Sequence, residues 1–230
     1  MIRAILMDFN GVVLDDERIQ MRAYAEVFTG EGIELTEEMY YKCLGMNDSK
    51  FVGSIAGMAG KEIPEDRVTE IVDAKTEKWR EIMSRGVPIF DGLEDFIKRM
   101  SRSFELGLVS MARREEIEHI LDLTGLRDYF AVVISSEAVS TTKPDPECYR
   151  VGFERIDAAH SARYGFPITR RKCVVIEDAP QGITAARGAR LRTLGVTNTV
   201  KAGPLRDAGA EAVTKRLSDW NSESFERVFN

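Results

Sequence analysis

The feature that most constrains the fold of this chain is a series of short apolar runs, each long enough for one β-strand. The runs occupy residues 2–7, 104–109, 131–134, 172–176 and 192–196. Most of them are followed by a segment in which apolar residues recur with the period of an α-helix. Strands that alternate with helices form parallel sheets covered on both faces. The pattern therefore predicts an α/β fold with a doubly wound, Rossmann-like parallel sheet.

The segment 113–123 shows the helical pattern clearly. The apolar residues expected on its sheet-facing side are Ile117, Ile120, Leu121 and Leu123. Charged residues, among them Glu116, fill the other positions, so we expect them on the remaining faces of the helix.

The stretch from residue 15 to residue 85 contains several helix-like segments and little that favours a strand. So long a helical excursion after the first strand is typical of an inserted domain. We therefore expect a core domain of residues 1–14 and 86–230 and a small helical domain of residues 15–85. A further stretch, 157–171, is expected to be irregular.

The charge of the chain limits its class of partner. The 230 residues include 32 basic and 38 acidic side chains, a net charge of -6, and the two signs are mixed along the sequence. This balance disfavours nucleic acid or an anionic membrane surface as the main partner.

Three widely separated cysteines favour buried thiols in a reducing compartment. No apolar run reaches the length of a membrane span or a signal sequence, so we expect a cytoplasmic protein.

Polar residues follow the first apolar run directly. Asp8, Asn10 and Gly11 lie where the first strand is expected to end, at the edge where open parallel sheets bind ligands. An aspartate there can attack phosphorus and form an aspartyl-phosphate. Asn-Gly is also a common turn signal, so a structural role in a turn is favoured for Asp8 taken alone.

A second acidic pair, Glu177 and Asp178, follows the run 172–176. Facing Asp8 across the sheet edge, these carboxylates would form a hard oxygen site suited to Mg²⁺. The alternative for Asp178 is an N-cap, because Pro180 favours a helix start just after it.

Lys143 and Ser110 complete the set of candidate residues. Pro144 stiffens the turn that carries Lys143, which would restrict its ammonium group as it reaches an anion, although a solvated surface lysine is the alternative. Ser110 ends the run 104–109, where its hydroxyl would bond a phosphate oxygen or cap the next helix.

Taken together, the order Asp8, Ser110, Lys143, Glu177-Asp178 resembles the four motifs of the haloacid dehalogenase-like hydrolase superfamily. The resemblance covers nearly the whole chain and is closest to the phosphatase and β-phosphoglucomutase branch, in which a helical cap is inserted after the first motif. It implies a Mg²⁺-dependent enzyme that acts on a small phosphorylated metabolite. The oligomeric state is not indicated.

The resemblance also implies a role for each matching residue. The expected catalytic residues are Asp8 as nucleophile, Asn10, Ser110 and Lys143. The expected Mg²⁺ ligands are Asp8, the backbone carbonyl of Asn10, Glu177 and Asp178. The expected substrate-binding residues are Gly11, Gln20, Ser110 and Lys143, with Gln20 at the position of the usual cap histidine.

Asn10 departs from the family pattern, which has an aspartate there that moves protons. An amide cannot do this at neutral pH, and a positioned acid is worth roughly 10²- to 10⁴-fold in rate. Three explanations stay open: an enzyme that uses another group or a better leaving group, a deliberately disabled enzyme, or a protein that binds phosphorylated ligands without turnover. Asp15, Asp16 and Glu17 are the nearest replacement carriers, although a solvated acidic helix start is favoured for them.

A phosphomutase is the alternative reaction at the same site. The phosphate-binding arginine of the β-phosphoglucomutase cap falls near Asp48, and its histidine falls at Gln20. Because a mutase needs a second phosphate site, these replacements favour a hydrolase. Lys50 is the nearest substitute cation, although an exposed lysine is favoured there.

Overall fold

The core of the protein is a single parallel sheet of six strands, described over all 230 residues by a computed structural model. The strands are β1 (Ala4–Met7), β2 (Glu105–Val109), β3 (Val132–Ile134), β4 (Cys173–Glu177), β5 (Arg192–Val196) and β6 (Ala212–Thr214). Their order across the sheet is β3-β2-β1-β4-β5-β6, and every neighbouring pair is parallel. The first strand therefore lies inside the sheet, between β2 and β4.

The chain also forms ten α-helices. They are α1 (Glu17–Gly30), α2 (Glu37–Lys42), α3 (Asp48–Met58), α4 (Glu65–Met83), α5 (Leu93–Met100), α6 (Arg114–Thr124), α7 (Glu147–Tyr164), α8 (Pro180–Gly188), α9 (Ala202–Asp207) and α10 (Ser222–Phe229). Apolar residues of α5, α6 and α10 form one buried cluster with the sheet, and those of α7 and α8 form another.

Both faces of the central strand are buried, which explains its unbroken apolar sequence. Ile5 and Met7 of β1 join the cluster with α5, α6 and α10, whereas Ala4 and Leu6 join the cluster with α7 and α8. Successive side chains of a strand point to opposite faces, so the two clusters lie on opposite sides of the sheet. The predicted doubly wound α/β core is confirmed.

Helices α1 to α4, which we call the four-helix segment, have an apolar core of their own. Aromatic rings are prominent in it, with the centroids of Tyr24 and Phe51 separated by 4.4 Å and those of Tyr40 and Phe51 by 5.4 Å. The helices follow β1 in the chain and precede α5, as expected for an insertion. The exact domain bounds of 15 and 85 stay a prediction.

The structure differs from the sequence prediction in several places. Strand β6 was not predicted, because it has only three residues and all three are half-buried at the sheet edge. The stretch 157–171 is not irregular throughout, since α7 continues to Tyr164 and buries His160 four residues after Ile156. Leu123 is 53% exposed and does not join the buried face of α6.

The three cysteines are buried, as expected from their surroundings. None of the ten helices combines the length and the apolar character needed to cross a bilayer.

The prediction for Glu116 is also wrong, because its side chain is buried and does not lie on a solvent-facing side of α6. Its Oε1 accepts hydrogen bonds from Lys75 Nζ at 2.9 Å and from Thr76 Oγ1 at 3.0 Å, both on α4. The side chains of Lys75 and Glu116 are 1% and 2% exposed. This ion pair therefore fastens the four-helix segment to the core domain, a contact between distant parts of the chain that helical periodicity does not reveal.

Breaking this pair should be costly. We expect Glu116→Ala to lower the free energy of unfolding by about 3–5 kcal/mol, because it leaves the Lys75 charge buried with only Asp48 nearby. Glu118→Ala is the matched control on the same helix, and its surface pairs with Arg114 and Arg127 should each contribute less than about 1 kcal/mol. Urea unfolding of both variants measures the difference, and equal losses would contradict this role for Glu116.

Candidate active site

The carboxyl ends of β1, β2 and β4 meet at one cleft, which the four-helix segment covers. Asp8 follows β1, Ser110 follows β2, Glu177 ends β4 and Asp178 comes after it, and all four line the cleft. Lys143, from the loop before α7, lines it too. The residues predicted from separate motifs are therefore brought together.

Lys143 lies between two carboxylates. Its Nζ is 2.9 Å from Asp8 Oδ2 and 2.5 Å from Glu177 Oε1, and Tyr149 donates a second hydrogen bond to Glu177 Oε1 at 2.6 Å. Burial opposes the charge of Lys143, but the attraction of Asp8 and Glu177 outweighs it and raises the pKa of Lys143 above its usual value. Lys143 is only 4% exposed, so the interpretation as a surface lysine is wrong.

Asp8, Glu177 and Asp178 form a compact group of oxygen donors. One ligand atom from each lies within 4.8 Å of the other two. Burial, together with repulsion from Glu177, raises the pKa of Asp8 to about 7 and raises that of Asp178 well above its usual value. Carboxylates crowded together in this way have an excess of negative charge that the ammonium of Lys143 does not balance. The donor set fits a hard divalent cation such as Mg²⁺.

Two glycines make room for these carboxylates. A Cβ atom on Gly11 would lie 1.9 Å from Asp178 Oδ2, and one on Gly182 would lie 1.8 Å from Glu177 Oε1. Any side chain at either position would displace a candidate metal ligand. Helix α8 has Ala179 at its N-cap and no side-chain cap, so the interpretation of Asp178 as a helix cap is wrong.

Ser110 is buried at the floor of the cleft. Its Oγ accepts a hydrogen bond from the backbone N–H of Ala112 at 3.0 Å and lies 3.5 Å from Asn10 Oδ1. Helix α6 starts later, with Arg113 at its N-cap, so Ser110 does not cap it. Its hydroxyl can donate to an oxygen atom in the cleft.

Asn10 is paired with Asp16. Its Nδ2 donates to Asp16 Oδ1 at 2.9 Å and to Asp16 Oδ2 at 3.0 Å. Asp16 is fully buried and also accepts from Gln20 Nε2 at 2.9 Å and from Trp79 Nε1 at 2.8 Å. The interpretation of Asp16 as a solvated helix start is therefore wrong. Asp16 instead joins the turn after β1 to α1 and α4.

Gln20 was expected to bind substrate. It lines the cleft, but its side-chain amide already donates to Asp16. Its role toward a substrate stays a prediction, as do the assignments of Asp8, Asn10, Glu177 and Asp178 to a metal ion.

Glu17 is a functional candidate that the sequence places with the solvated acids. It is the first residue of α1, it lines the cleft, and its Oε2 accepts a hydrogen bond from Tyr40 at 2.8 Å. Burial is the main cause that raises the pKa of Glu17 to about 8, and the charges of Asp16, Asp8 and Glu177 add to the effect. The sequence alone does not show that, of these three neighbouring acids, Asp15 is exposed, Asp16 is buried and Glu17 lines the cleft.

The wall of the cleft formed by α1, α3, α4 and α6 contains a second charged group. Asp48 accepts hydrogen bonds from Tyr24 and from Lys75, whose Nζ lies 3.2 Å from it, and Lys75 also contacts Glu116. All four residues line the cleft. The cation of this wall is therefore already bound by two carboxylates. Lys50 lies elsewhere, exposed, 3.4 Å from Thr142 Oγ1.

Known proteins resemble this chain along most of its length. A phosphorylated carbohydrates phosphatase of Thermotoga maritima is 28% identical over 218 residues, which cover 93% of this chain and 94% of that protein. The protein SUPPRESSOR OF QUENCHING 1 of Arabidopsis thaliana is also 28% identical over 92% of this chain, which spans only 19% of that longer protein. A solved β-phosphoglucomutase from Clostridium difficile has the same fold, with a TM-score of 0.86 and 20% identity over 100% of this chain and 98% of that one.

The family comparison agrees with the geometry of the cleft. A model of the haloacid dehalogenase-like hydrolases matches residues 5–196, a range that includes every residue brought together at the sheet edge. The resemblance predicted from the four motifs is confirmed, and the chain belongs to the haloacid dehalogenase-like hydrolase family.

Proposed function

We propose that the protein is a Mg²⁺-dependent phosphatase that hydrolyses a small phosphate ester through an aspartyl-phosphate on Asp8. The observation that carries the proposal is the position of Asp8 in the cleft, 2.9 Å from the buried cation of Lys143 and beside Glu177 and Asp178. The Thermotoga maritima relative, 94% of which is covered by the match, is named as a phosphatase of phosphorylated carbohydrates, which supports the same class of substrate here.

The chemistry proceeds in two steps. A carboxylate oxygen of Asp8 attacks phosphorus, the bond from phosphorus to the ester oxygen breaks, and water then hydrolyses the aspartyl-phosphate. Lys143 neutralises an approaching phosphate oxygen, while the Ser110 hydroxyl donates to another and orients the group. Mg²⁺ held by Asp8, Asp178, the Asn10 carbonyl and Glu177 would supply further positive charge to the phosphoryl oxygens. We infer that the four-helix segment acts as the cap that shields these steps from bulk water.

The charged wall of the cleft favours a phosphatase over a phosphomutase. A mutase must bind a second phosphate, which needs a cation free to contact it. The candidate on this wall is Lys75, and it is held by Asp48 and Glu116. The two carboxylates would repel a second phosphate, so the ligand we propose is a monophosphate.

The pairing of Asn10 with Asp16 supports an intact enzyme rather than a disabled one. The amide of Asn10 supplies the N–H donors that the buried carboxylate of Asp16 needs, as do Gln20 and Trp79. An aspartate at position 10 would instead place two carboxylates at hydrogen-bond distance in a buried site. Asn10 is thus matched to its surroundings.

The direct test is a panel of phosphate monoesters with Mg²⁺, in which inorganic phosphate is measured. We expect release without added bisphosphate, and a covalent phosphate on Asp8 that acid quench and mass spectrometry detect. Asp8→Asn should remove both signals. A requirement for bisphosphate would identify a mutase, and tight binding of esters without turnover would identify a binding protein.

The metal site gives a separate prediction. Asp178→Ala should lower turnover by roughly a hundredfold or more, because a metal ion stabilises transition-state charge by several kcal/mol. Asp207→Ala, an exposed acid on α9, is the control and should leave turnover unchanged. Isothermal titration with Mg²⁺ should show weaker binding for Asp178→Ala alone. Full activity of the unaltered protein in excess chelator would contradict the metal requirement.

The Asn10–Asp16 pair predicts a compensating substitution. Asn10→Asp should lower the free energy of unfolding by about 1–3 kcal/mol, because it removes a donor from buried Asp16 and adds a second charge. The double variant Asn10→Asp/Asp16→Asn restores one amide and one carboxylate and should regain most of that loss. Thermal unfolding of both variants, with Asp16→Asn completing the cycle, measures the coupling. Unchanged stability of Asn10→Asp would show that the pair is unimportant.

A further inference from the structure

The proposed phosphatase needs a proton carrier, because the leaving alcohol must be protonated and the attacking water must lose a proton. Asn10 has no acidic proton at neutral pH. Three carboxyl groups follow the turn after β1, at positions 15, 16 and 17, and their surroundings differ sharply.

Asp15 and Asp16 lack access to the cleft. Asp15 is exposed, and neither residue is among those that line the cleft. Both oxygens of Asp16 are already occupied by N–H groups, those of Asn10, Gln20 and Trp79, and these donors offset only part of the rise in the pKa of Asp16 that burial causes. Asp16 therefore orients Asn10 and has no path to a substrate.

Glu17 has the access that the other two lack. It lines the same cleft as Asp8, Ser110 and Lys143, and Tyr40 holds one of its oxygens, which leaves Oε1 without a hydrogen bond to protein. Burial is the main cause that raises the pKa of its carboxyl to about 8. At neutral pH such a group holds a proton that it can donate. It is also basic enough to take a proton from water.

We propose, on the basis of the phosphatase function above, that Glu17 is the general acid and base of this enzyme and replaces the missing carboxyl at position 10. As Asp8 attacks phosphorus and the bond to the ester oxygen breaks, the carboxyl proton of Glu17 passes to that oxygen and the alcohol leaves. In the second step the Glu17 carboxylate takes a proton from water. The hydroxide oxygen attacks phosphorus, the bond to Asp8 breaks, and inorganic phosphate leaves with Glu17 protonated again.

The test compares two esters that differ in their need for an acid. The probes are glucose 6-phosphate, whose alkoxide must be protonated, and p-nitrophenyl phosphate, whose leaving group is a stable anion. Rapid quench measures the rate at which each phosphorylates Asp8, which isolates the first step. In Glu17→Gln we expect this rate to fall at least about a hundredfold with glucose 6-phosphate and less than about tenfold with p-nitrophenyl phosphate. Asp15→Asn is the matched control and should change neither rate.

The pH profile gives a second readout, one that a purely structural role would not change. The rate of phosphorylation by glucose 6-phosphate should decline on the alkaline side as Glu17 loses its proton, and Glu17→Gln should remove that decline. The groups that face Glu17 are Tyr40 on α2, Asp16 beside it in sequence, and Asp8, Glu177 and Asp178 at the sheet edge. Because the Tyr40 hydrogen bond lowers the pKa of Glu17, Tyr40→Phe should move the decline to higher pH.

A rescue experiment completes the test. Adding Asn10→Asp and Asp16→Asn to the Glu17→Gln variant supplies a carboxyl at position 10 and should recover phosphorylation by glucose 6-phosphate at least about tenfold. Equal losses with the two esters, or no loss with either, would overturn the role of Glu17 while phosphorylation of Asp8 left the phosphatase function standing. If the unaltered protein forms no phosphorylated Asp8 with either ester, the phosphatase function itself fails, and the role of Glu17 with it.

Discussion

The site depends on one electrostatic constraint, the burial of Asp8, Glu177 and Asp178 together at the carboxyl edge of the sheet. Carboxylates this close repel one another, and burial removes the water that would screen them. Lys143 neutralises part of this negative charge, because its ammonium group contacts both Asp8 and Glu177. The negative charge that Lys143 does not neutralise attracts further cations. A phosphoryl group, itself negatively charged, can approach only where cations are concentrated. The same arrangement therefore explains both the geometry of the cleft and its expected need for Mg²⁺.

The surrounding chain is shaped to keep these charges in place. Tyr149 fixes Glu177 from α7, and Gly182 leaves the space that the Glu177 carboxylate fills. Gly11 does the same for Asp178 from the turn after β1. Each contact comes from a different element, so the position of the acidic group depends on correct packing of β1, β4, α7 and α8. The chemistry is thus a product of the fold and is not contained in any single motif.

The sequence predicted most of the core and the members of the central site, because both follow from local patterns. A strand buried on both faces has an unbroken apolar run, and functional residues of parallel sheets follow such runs directly. Strand β6 was not predicted, because three half-buried residues give no comparable pattern. The burial of Glu116 and Asp16 was not predicted for a different reason. Their partners Lys75 and Trp79 are distant in sequence, and only the folded chain reveals that these acids are buried.

The proton carrier that we propose differs from the nucleophile in where it is attached. Asp8 follows β1 and is fixed to the sheet, whereas Glu17 begins α1 and belongs to the four-helix segment. Tyr40, which holds the Glu17 carboxyl, lies on α2 in the same segment. Two contacts link this segment to the core, the bond from Asn10 to Asp16 and the buried ion pair of Lys75 with Glu116. A movement that opens the cleft would carry Glu17 and Tyr40 away together and leave Asp8, Ser110 and Lys143 in place. Proton transfer, unlike binding of the phosphoryl group to the sheet edge, would then occur only when the segment is seated against the core. Such a division would prevent the enzyme from moving protons before the substrate is enclosed.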